Sequence, residues 1–402
     1  MPHHRAPAWH NPVFIPGPTN LPEALRKAVD MPTIDHRSTA FPEILHPTLE
    51  MVRQVLRGRA AEVFLFAGTG TLGWEAAITN TLSPGDRVLA CENGMFSRKW
   101  IDMCRRHGLE VEEIRVPWGE AIPAARMGEI LAEDRERRIR AVLATHNETA
   151  TGVRSDIAAI RAVLDAADHP ALLMVDGVSS IASMPFEMDA WGVDVAVTGS
   201  QKGFMLPAGL AIVAFSQKAL AMLEAARLPR TYYDIRDMRA AYPAGGYPYT
   251  PPLGLINGLR ASCEMLLAEG LDNVFARHRR IAEGVRRAVD AWGMPLCAAS
   301  RNVASDTVTA IRTPEGFDAN RIVGRAAEVY HVAFGAGLGE VAGRVFRIGH
   351  LGLMSEAMAL SGIATAEMVM VDLGLPVTLG AGVAAAQDYW RRTLPEALRM
   401  AA

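Results

Sequence analysis

The chain has 402 residues, of which 50% are hydrophobic and 21% are charged, a balance that is typical of a soluble globular enzyme. This length exceeds what one ordinary core accommodates and predicts two domains. The formal net charge of -3 provides no basic field for nucleic acid, and no apolar run approaches the length of a membrane span. Composition and charge therefore argue against a nucleic-acid-binding protein and against a membrane-spanning one.

The cysteines and the opening residues bear on the cellular compartment. Cys91, Cys104, Cys263 and Cys297 are widely spaced and form no C-x-x-C pair, so the sequence predicts neither a disulfide framework nor a zinc or other metal site. The opening residues 1–7 lack the apolar core of a secretory signal. We therefore expect reduced thiols and a cytoplasmic location.

The first predicted elements are a loose arm at residues 1–12, a turn at residues 16–18 and a helix that Pro22 begins. A second helix is expected after Asp35, because apolar side chains recur there at a spacing that buries one face: Leu45, Leu49, Val52 and Leu56. Arg37 lies in this entry segment. It is a candidate to meet a substrate side chain or a second carboxylate, and equally a candidate for a salt bridge across a dimer contact.

A glycine-rich turn follows the apolar run from Val63 to Ala67 and leads into a predicted helix. Backbone amides at such a helix start, together with the hydroxyls of Thr69 and Thr71, are suited to bind a phosphate group. This segment therefore predicts a phosphate site.

The same turn also permits a different interpretation. Gly68, Gly70 and Gly73 match the G-x-G-x-x-G pattern of dinucleotide-binding proteins, and Glu92 ends the next apolar run. Against this alternative, the unit begins far inside the chain, and a nicotinamide enzyme gives no reason for the two sites described next.

Strands and helices then alternate, which predicts a mostly parallel sheet with helices on both faces. The predicted strands cover residues 88–91, 111–116 and 141–145, and the predicted helices cover 100–107, 124–135 and 156–167. His146 follows one strand and is a candidate to approach a cofactor or to be a structural histidine. Glu148 is a candidate acid or a partner of backbone amides.

The run from Ala171 to Val175 is wholly apolar and ends in Asp176, a pattern typical of a central parallel strand that carries an acid to its carboxyl edge. A buried carboxylate is costly unless a cation meets it, and the pyridinium nitrogen of pyridoxal phosphate is such a cation. Taken alone, Asp176 could equally cap a helix or bind a metal.

Lys202 stands in a run of small residues directly after the predicted strand from Val193 to Val197. Gly199 and Gly203 allow the backbone to turn beside a closely approaching group. A lysine in such a turn loses hydration, which lowers its pKa and leaves an amine able to form a Schiff base. A lone lysine of this kind would more simply be solvated, but the pair with Asp176 on neighbouring strands is far more specific.

The remaining chain predicts a return strand, an interface segment and a smaller domain. Residues 227–252, rich in Tyr, Pro and Gly, are expected to be extended and ordered by a second subunit. A long helical region is expected from Leu253 to about Trp292, and residues 335–339 are expected to form a flexible loop. The other predicted elements are strands at 210–215, 307–312 and 345–348 and helices at 320–330 and 355–373.

These motifs resemble those of the class V aminotransferases of pyridoxal-phosphate fold type I, most closely the serine–glyoxylate and alanine–glyoxylate aminotransferases. The resemblance runs from Phe14 to about Leu375. It implies an α/β fold with a large domain, whose mostly parallel sheet is sandwiched by helices, and a smaller α+β C-terminal domain. We expect an arm at residues 1–20, the large domain at 21–260, and a linking helix with the small domain at 261–402.

The resemblance also implies roles for individual residues. Lys202 matches the Schiff-base lysine, Asp176 the partner of the pyridine nitrogen, and Arg347 the arginine that binds the substrate α-carboxylate. Phe96 stands where the alanine–glyoxylate enzymes carry a tryptophan stacked on the ring. The other expected cofactor contacts are Thr69, Gly70, Thr71, Thr149, Val178 and Gln201, with Tyr247 and Thr250 completing the phosphate site of the other subunit of a homodimer.

The expected activity is transfer of an amino group from a small L-amino acid to glyoxylate, giving glycine and a 2-oxo acid. The resemblance favours L-serine as donor, with L-aspartate and L-alanine close behind. The alternatives are another pyridoxal-phosphate enzyme, such as a cysteine desulfurase or a lyase, and a nicotinamide-dependent oxidoreductase.

Overall fold

The computed structural model describes residues 12–394, which form thirteen β-strands and thirteen α-helices. The strands are β1 (Val13–Phe14), β2 (Glu62–Gly68), β3 (Arg87–Glu92), β4 (Glu110–Arg115), β5 (Ile139–Thr145), β6 (Asn147–Glu148), β7 (Val153–Arg154), β8 (Leu172–Asp176), β9 (Val195–Gly199), β10 (Gly209–Phe215), β11 (Val308–Arg312), β12 (Ala333–Ala336) and β13 (Val345–Gly349). The helices are α1 (Glu23–Val29), α2 (Ala40–Leu56), α3 (Gly70–Thr79), α4 (Met95–Arg106), α5 (Ala124–Glu133), α6 (Ile157–Ala166), α7 (Gln217–Leu220), α8 (Ile235–Ala241), α9 (Leu253–Glu269), α10 (Leu271–Ala291), α11 (Asn320–Tyr330), α12 (Glu356–Asp372) and α13 (Ala381–Arg392).

Seven strands form the large sheet, in the order β2-β10-β9-β8-β5-β3-β4. Strand β10 is antiparallel to both of its neighbours, and the other four pairs are parallel. Every residue of β8 and β9 is buried, as expected for apolar runs at the centre of a parallel sheet. The predicted α/β fold with a mostly parallel sheet is confirmed.

A smaller four-stranded sheet has the order β1-β12-β13-β11. The two-residue strand β1 pairs in parallel with β12, whereas the other two pairs are antiparallel. The N-terminal segment is thus fixed to the C-terminal sheet before the chain enters the large sheet. This pairing holds residues 15–18 between the smaller sheet and Lys202, which follows strand β9 of the large sheet.

The long helical region expected from Leu253 to about Trp292 is present as α9 and α10, which are separated at Gly270, whose φ is 84°. Two other local predictions were wrong. Gly335 lies in strand β12 rather than in a flexible loop, because the backbone of β13 supplies a pairing partner at Arg347. The segment 227–252 is not simply extended, since it contains α8, whose first turn is capped by Asp234.

Two clusters of buried apolar side chains underlie this architecture. The larger involves residues between Leu25 and Phe275, and the second joins Phe14 to residues between Ile281 and Trp390. The expected division into an arm and two domains stays a prediction, as does the cytoplasmic location, and most of the predicted arm lies outside the described residues. Among residues 12–394, no helix combines the length and apolarity needed to cross a bilayer.

Two helical glycines offer a matched test of packing in the second cluster. A Cβ added to Gly284 would lie 2.2 Å from the Trp390 ring, whereas one added to Gly324 would meet nothing within 4 Å. We expect Gly284→Ala to lower the free energy of unfolding by about 1–3 kcal/mol through overpacking. Gly324→Ala is expected to raise it by up to about 1 kcal/mol through helix propensity. Urea denaturation measures both, and equal stability of the two variants would contradict the packing of α10 against α13.

Candidate active site

A cavity of about 290 Å³ opens at the carboxyl ends of β8 and β9. Nine of the residues singled out in the sequence line it: Thr69, Gly70, Thr71, Phe96, Thr149, Asp176, Val178, Gln201 and Lys202. These residues come from five separate segments of the chain. The parallel pairing of β8 with β9 brings Asp176 and Lys202 to the same edge, as expected for ligand sites of open α/β sheets.

The Lys202 amine projects into this cavity from a tight turn after β9. Its Nζ donates a hydrogen bond to the carbonyl oxygen of Pro16, and this is its hydrogen-bonding contact within residues 12–394. The turn leaves no room for a side chain at Gly203, where a Cβ would lie 2.2 Å from the carbonyl oxygen of Ile181. Burial, and secondarily the charge of Arg347, lower the pKa of Lys202 to about 8. About a tenth of the amine is therefore neutral at pH 7.

Asp176 is only 4% exposed and ends strand β8. Its Oδ1 accepts a hydrogen bond from the Val178 backbone N–H at 2.9 Å. Burial raises the pKa of Asp176 to about 7, although that hydrogen bond opposes the shift. The Trp74 indole lines the same cavity and lies close enough to the carboxylate to oppose the pKa shift as well. A cationic group placed against Asp176 would therefore return the carboxylate to its charged form.

The glycine-rich turn forms the start of α3, with Thr69 at the N-cap. Leu72 and Gly73 donate their N–H groups to the Thr69 carbonyl, and within residues 12–394 the N–H groups of Gly70 and Thr71 have no hydrogen-bond partner. A Cβ at Gly70 would lie 2.4 Å from Val178, so the backbone approaches that side chain closely. Free amides at a helix start attract an anion through their partial positive charge.

Arg347 lies in the middle of β13 and is 6% exposed. Its Nε donates to the Ala336 carbonyl at 2.9 Å and its Nη1 donates to the Thr149 carbonyl at 3.0 Å. The Thr149 hydroxyl donates to Ser179 at 2.7 Å. Burial lowers the pKa of Arg347 to about 10, so the guanidinium is charged at neutral pH.

Glu148 organises the part of the wall that carries Phe96. Its Oε2 accepts the N–H groups of Phe96 at 2.9 Å and Ser97 at 3.0 Å, and its Oε1 accepts that of Ala150 at 3.0 Å. Burial raises the pKa of Glu148, and these amides oppose the shift. Of the two predicted roles, the structure therefore bears out the partner of backbone amides. The Phe96 ring meets Trp74 edge-on, with centroids 6.5 Å apart.

Several sequence-predicted candidates do not line the cavity of their own chain, and Arg347, which reaches the cavity wall through the Thr149 carbonyl, is one of them. Arg37 and Thr250 are exposed, and Tyr247 is buried with its hydroxyl donating to the Leu65 carbonyl at 2.6 Å. His146 is packed against Trp191 and lines a different cavity. The cross-subunit roles expected of Tyr247 and Thr250 therefore stay predictions, as does the role of Arg37.

The cavity also has lining residues that the sequence analysis did not single out individually: Gly17, Pro18, Trp74, Ser179 and Ala208. The glycine at position 17 is required, because a Cβ there would lie 2.4 Å from the Lys202 side chain and the φ is +96°. Trp74 directly follows the glycine-rich turn, so its position in the sequence could have predicted that it lines the cavity. Ala208 carried no signal, since a small residue after a proline is unremarkable in sequence.

The dinucleotide alternative does not fit the topology. In a dinucleotide fold the glycine-rich strand and the strand that carries the acidic residue belong to one parallel unit. Here β2 is an edge strand paired only with antiparallel β10, and β3, which ends in Glu92, lies five positions along the sheet. Glu92 also forms a salt bridge with Arg98, whose Nε donates a hydrogen bond to Glu92 Oε1 at 2.9 Å.

The cysteines do not support a desulfurase either. All four are buried, and none lines the Lys202 cavity. Burial raises the pKa of the Cys91 and Cys104 thiols to about 12, and it raises those of Cys263 and Cys297 as well. A persulfide-forming enzyme needs an accessible thiolate, which these positions do not supply.

Comparisons with known proteins agree with this geometry. The model of the family described as aminotransferase class V matches residues 26–330. An L-aspartate–glyoxylate aminotransferase of Paracoccus denitrificans is 69% identical over 98% of this chain and 99% of its own length, and a serine–glyoxylate aminotransferase of Hyphomicrobium methylovorum is 50% identical over 94% of each. The crystal structure of pyridoxamine–pyruvate aminotransferase from Mesorhizobium loti, at 29% identity, superposes with a TM-score of 0.90 over 98% of this chain and all of that one. The chain therefore belongs to the class V aminotransferases.

Proposed function

We propose that this aminotransferase uses pyridoxal 5′-phosphate to transfer an amino group from L-aspartate to glyoxylate, yielding oxaloacetate and glycine. L-serine is the second donor. The observation that carries the proposal is the convergence of a buried lysine amine, a buried carboxylate and two free helix-start amides on one cavity. The relatives named above support the choice of acceptor.

The residues present fit this cofactor. The free N–H groups of Gly70 and Thr71 suit a phosphate, the buried Asp176 suits a cationic ring nitrogen, and the Lys202 amine suits an aldehyde. Phe96 offers an aromatic face to a ring, and the buried Oε1 of Gln201 has no hydrogen-bond partner within the described part of the chain. When bound, the cofactor supplies an electrophilic carbon for the donor's nitrogen and a ring that accepts electrons from the donor's α-carbon.

Lys202 and Asp176 then have distinct tasks. The Lys202 amine is the only amine that lines the cavity within residues 12–394, so it is placed to take the proton from the donor's α-carbon and to return it. Its lowered pKa makes the neutral, proton-accepting form accessible near neutral pH. Asp176 holds a proton on a neighbouring ring nitrogen by favouring positive charge there.

Arg347 orients the donor. A guanidinium binds a carboxylate through two parallel N–H donors, which fixes the plane of the donor's α-carbon. Its Nε and Nη1 are held by the carbonyls of Ala336 and Thr149, so the side chain is pre-positioned before a substrate arrives. The hydrogen bond from Thr149 to Ser179 ties this anchor to the segment that follows Asp176.

The order of donors rests on the relatives rather than on the cavity. The relative named for L-aspartate is 69% identical, and the one named for serine is 50% identical. This reverses the preference for serine expected from the sequence. A second carboxylate needs a second cation, and Arg37, exposed in its own chain, would supply it from the partner of a homodimer with shared active sites.

The covalent role of Lys202 has a direct test. Borohydride reduction of the cofactor-loaded wild type should attach the cofactor to the Lys202 peptide, as read by mass spectrometry. Lys202→Ala should lose this adduct and slow donor-dependent loss of the cofactor's colour by about a hundredfold or more, because the proton carrier is gone. The exposed Lys27 provides a control, since Lys27→Ala should behave as the wild type. Full activity in Lys202→Ala would refute the assignment.

The burial of Asp176 predicts a pH dependence in the cofactor-free protein. Between the ordinary aspartate pKa and about 7, the folded wild type keeps a proton that the unfolded chain has lost. Its free energy of unfolding therefore falls as pH rises through that window. Asp176→Asn lacks this titration, so its stability advantage over the wild type should grow between about pH 4 and about pH 7, measured by urea denaturation. An advantage that shrinks with pH would contradict an unpaired, buried carboxylate.

Single-donor half-reactions test the donor. We expect L-aspartate to discharge the cofactor's colour faster than L-serine or L-alanine. Arg37→Gln should raise the KM for L-aspartate by about tenfold, roughly the loss of one charged contact, and leave that for L-serine nearly unchanged. Arg347→Gln should raise the KM for both. Faster reaction with L-serine would overturn the donor order, and an equal effect of Arg37→Gln on both donors would remove Arg37 from side-chain recognition.

A further inference from the structure

A second cavity, of about 390 Å³, lies apart from the Lys202 cavity and shares no lining residue with it. It is bordered by the end of β7, the start of α6 and the residue that follows β5. One wall is apolar and includes Ile122, Trp191 and Val303. The other wall is polar. No step of the proposed reaction uses this cavity.

The polar wall carries one charge of each sign. Arg154 donates from Nη2 to the Asn302 carbonyl at 3.2 Å and has no salt bridge within residues 12–394. Asp156 accepts the Ala159 N–H at 2.9 Å as the N-cap of α6, and it too lacks a salt bridge among those residues. The two residues are separated by one position in an extended stretch, so their side chains leave the backbone on the same side.

His146 adds an unsatisfied group to the lining. It is 2% exposed, and its buried Nδ1 has no hydrogen-bond partner within residues 12–394. Burial lowers the pKa of His146 to about 3, so the ring is neutral and offers one donor and one acceptor. Buried polar groups in folded proteins are nearly always hydrogen-bonded, so a lining histidine without a partner indicates a ligand that bonds to it.

We propose that this cavity binds an α-amino acid with an apolar side chain. The carboxylate pairs with Arg154, the ammonium group pairs with Asp156, and the side chain packs against Trp191 and Ile122. His146 satisfies a polar group of the ligand. A plain anion is a poorer match because the Asp156 carboxylate would repel it, and an apolar molecule is a poorer match because it would leave both charges and His146 unpaired.

Calorimetric titration of the cofactor-loaded enzyme with L-leucine tests this assignment. Two matched probes each lack one charged group: 4-methylpentanoate lacks the ammonium group and 3-methylbutylamine lacks the carboxylate. We expect saturable binding of L-leucine and at least about tenfold weaker binding of each probe. Arg154→Gln, which keeps a donor for Asn302, and Asp156→Asn, which keeps the helix cap, should each weaken L-leucine to a similar extent. Arg140→Gln, an exposed arginine on β5, serves as the control and should bind normally.

A further variant distinguishes L-leucine binding at the second cavity from binding at the active site. Arg347→Gln removes the proposed substrate anchor and should leave L-leucine binding at the second cavity unchanged, with no change in the cofactor's visible absorption. Absence of L-leucine binding, binding of either probe as tight as that of L-leucine, or full affinity in Arg154→Gln would overturn the proposal. Loss of binding in Arg347→Gln would also overturn it by placing L-leucine at the active site. None of these outcomes depends on which donor the aminotransferase uses.

Discussion

The site depends on three buried charges that the protein leaves without ion-pair partners. Asp176, Lys202 and Arg347 surround or adjoin one cavity, and within residues 12–394 none of them forms a salt bridge. Each forms hydrogen bonds to backbone groups. Burying such charges costs several kcal/mol unless something compensates them, and the cost appears as a raised pKa for the acid and lowered values for the two bases. We propose that the compensation is external, with a cationic ring nitrogen at Asp176, an electrophilic carbon at Lys202 and a carboxylate at Arg347. The same energy that destabilises the empty cavity therefore favours its ligands.

The scaffold delivers these groups from distant parts of the chain. Asp176 and Lys202 follow adjacent parallel strands, whereas Arg347 comes from the smaller sheet. The N-terminal segment joins the two, because β1 pairs with β12 while the Pro16 carbonyl accepts the Lys202 ammonium. Close packing maintains this junction: a Cβ at Gly349 would lie 2.3 Å from the Ile15 carbonyl. A shift of the smaller sheet would therefore displace both Lys202 and Arg347. Such coupling suits a site that orients its substrate before proton transfer.

Much of the large sheet, and the meeting of Asp176 and Lys202 at one cavity, could be predicted from the sequence. A continuous apolar run is typical of a buried parallel strand, and Asp176 ends one such run while Lys202 follows shortly after another. What could not be predicted depends on contacts distant in sequence. The Pro16 carbonyl and Lys202 are 186 positions apart, the strand character of Gly335 arises only from pairing with Arg347, and the hydroxyl of Tyr247 is bonded to an edge strand far from it. His146 had a local signal at a strand end, but only the packing of Trp191 shows that it faces a different cavity.

A crystal structure of the chain with pyridoxal 5′-phosphate tests the central claim most directly. The account predicts the phosphate at the free N–H groups of Gly70 and Thr71, the ring nitrogen within hydrogen-bond distance of an Asp176 oxygen, and continuous density from the cofactor to Lys202 Nζ. Density for the ring elsewhere, or a ring nitrogen turned away from Asp176, would contradict it, because the buried carboxylate would then remain uncompensated.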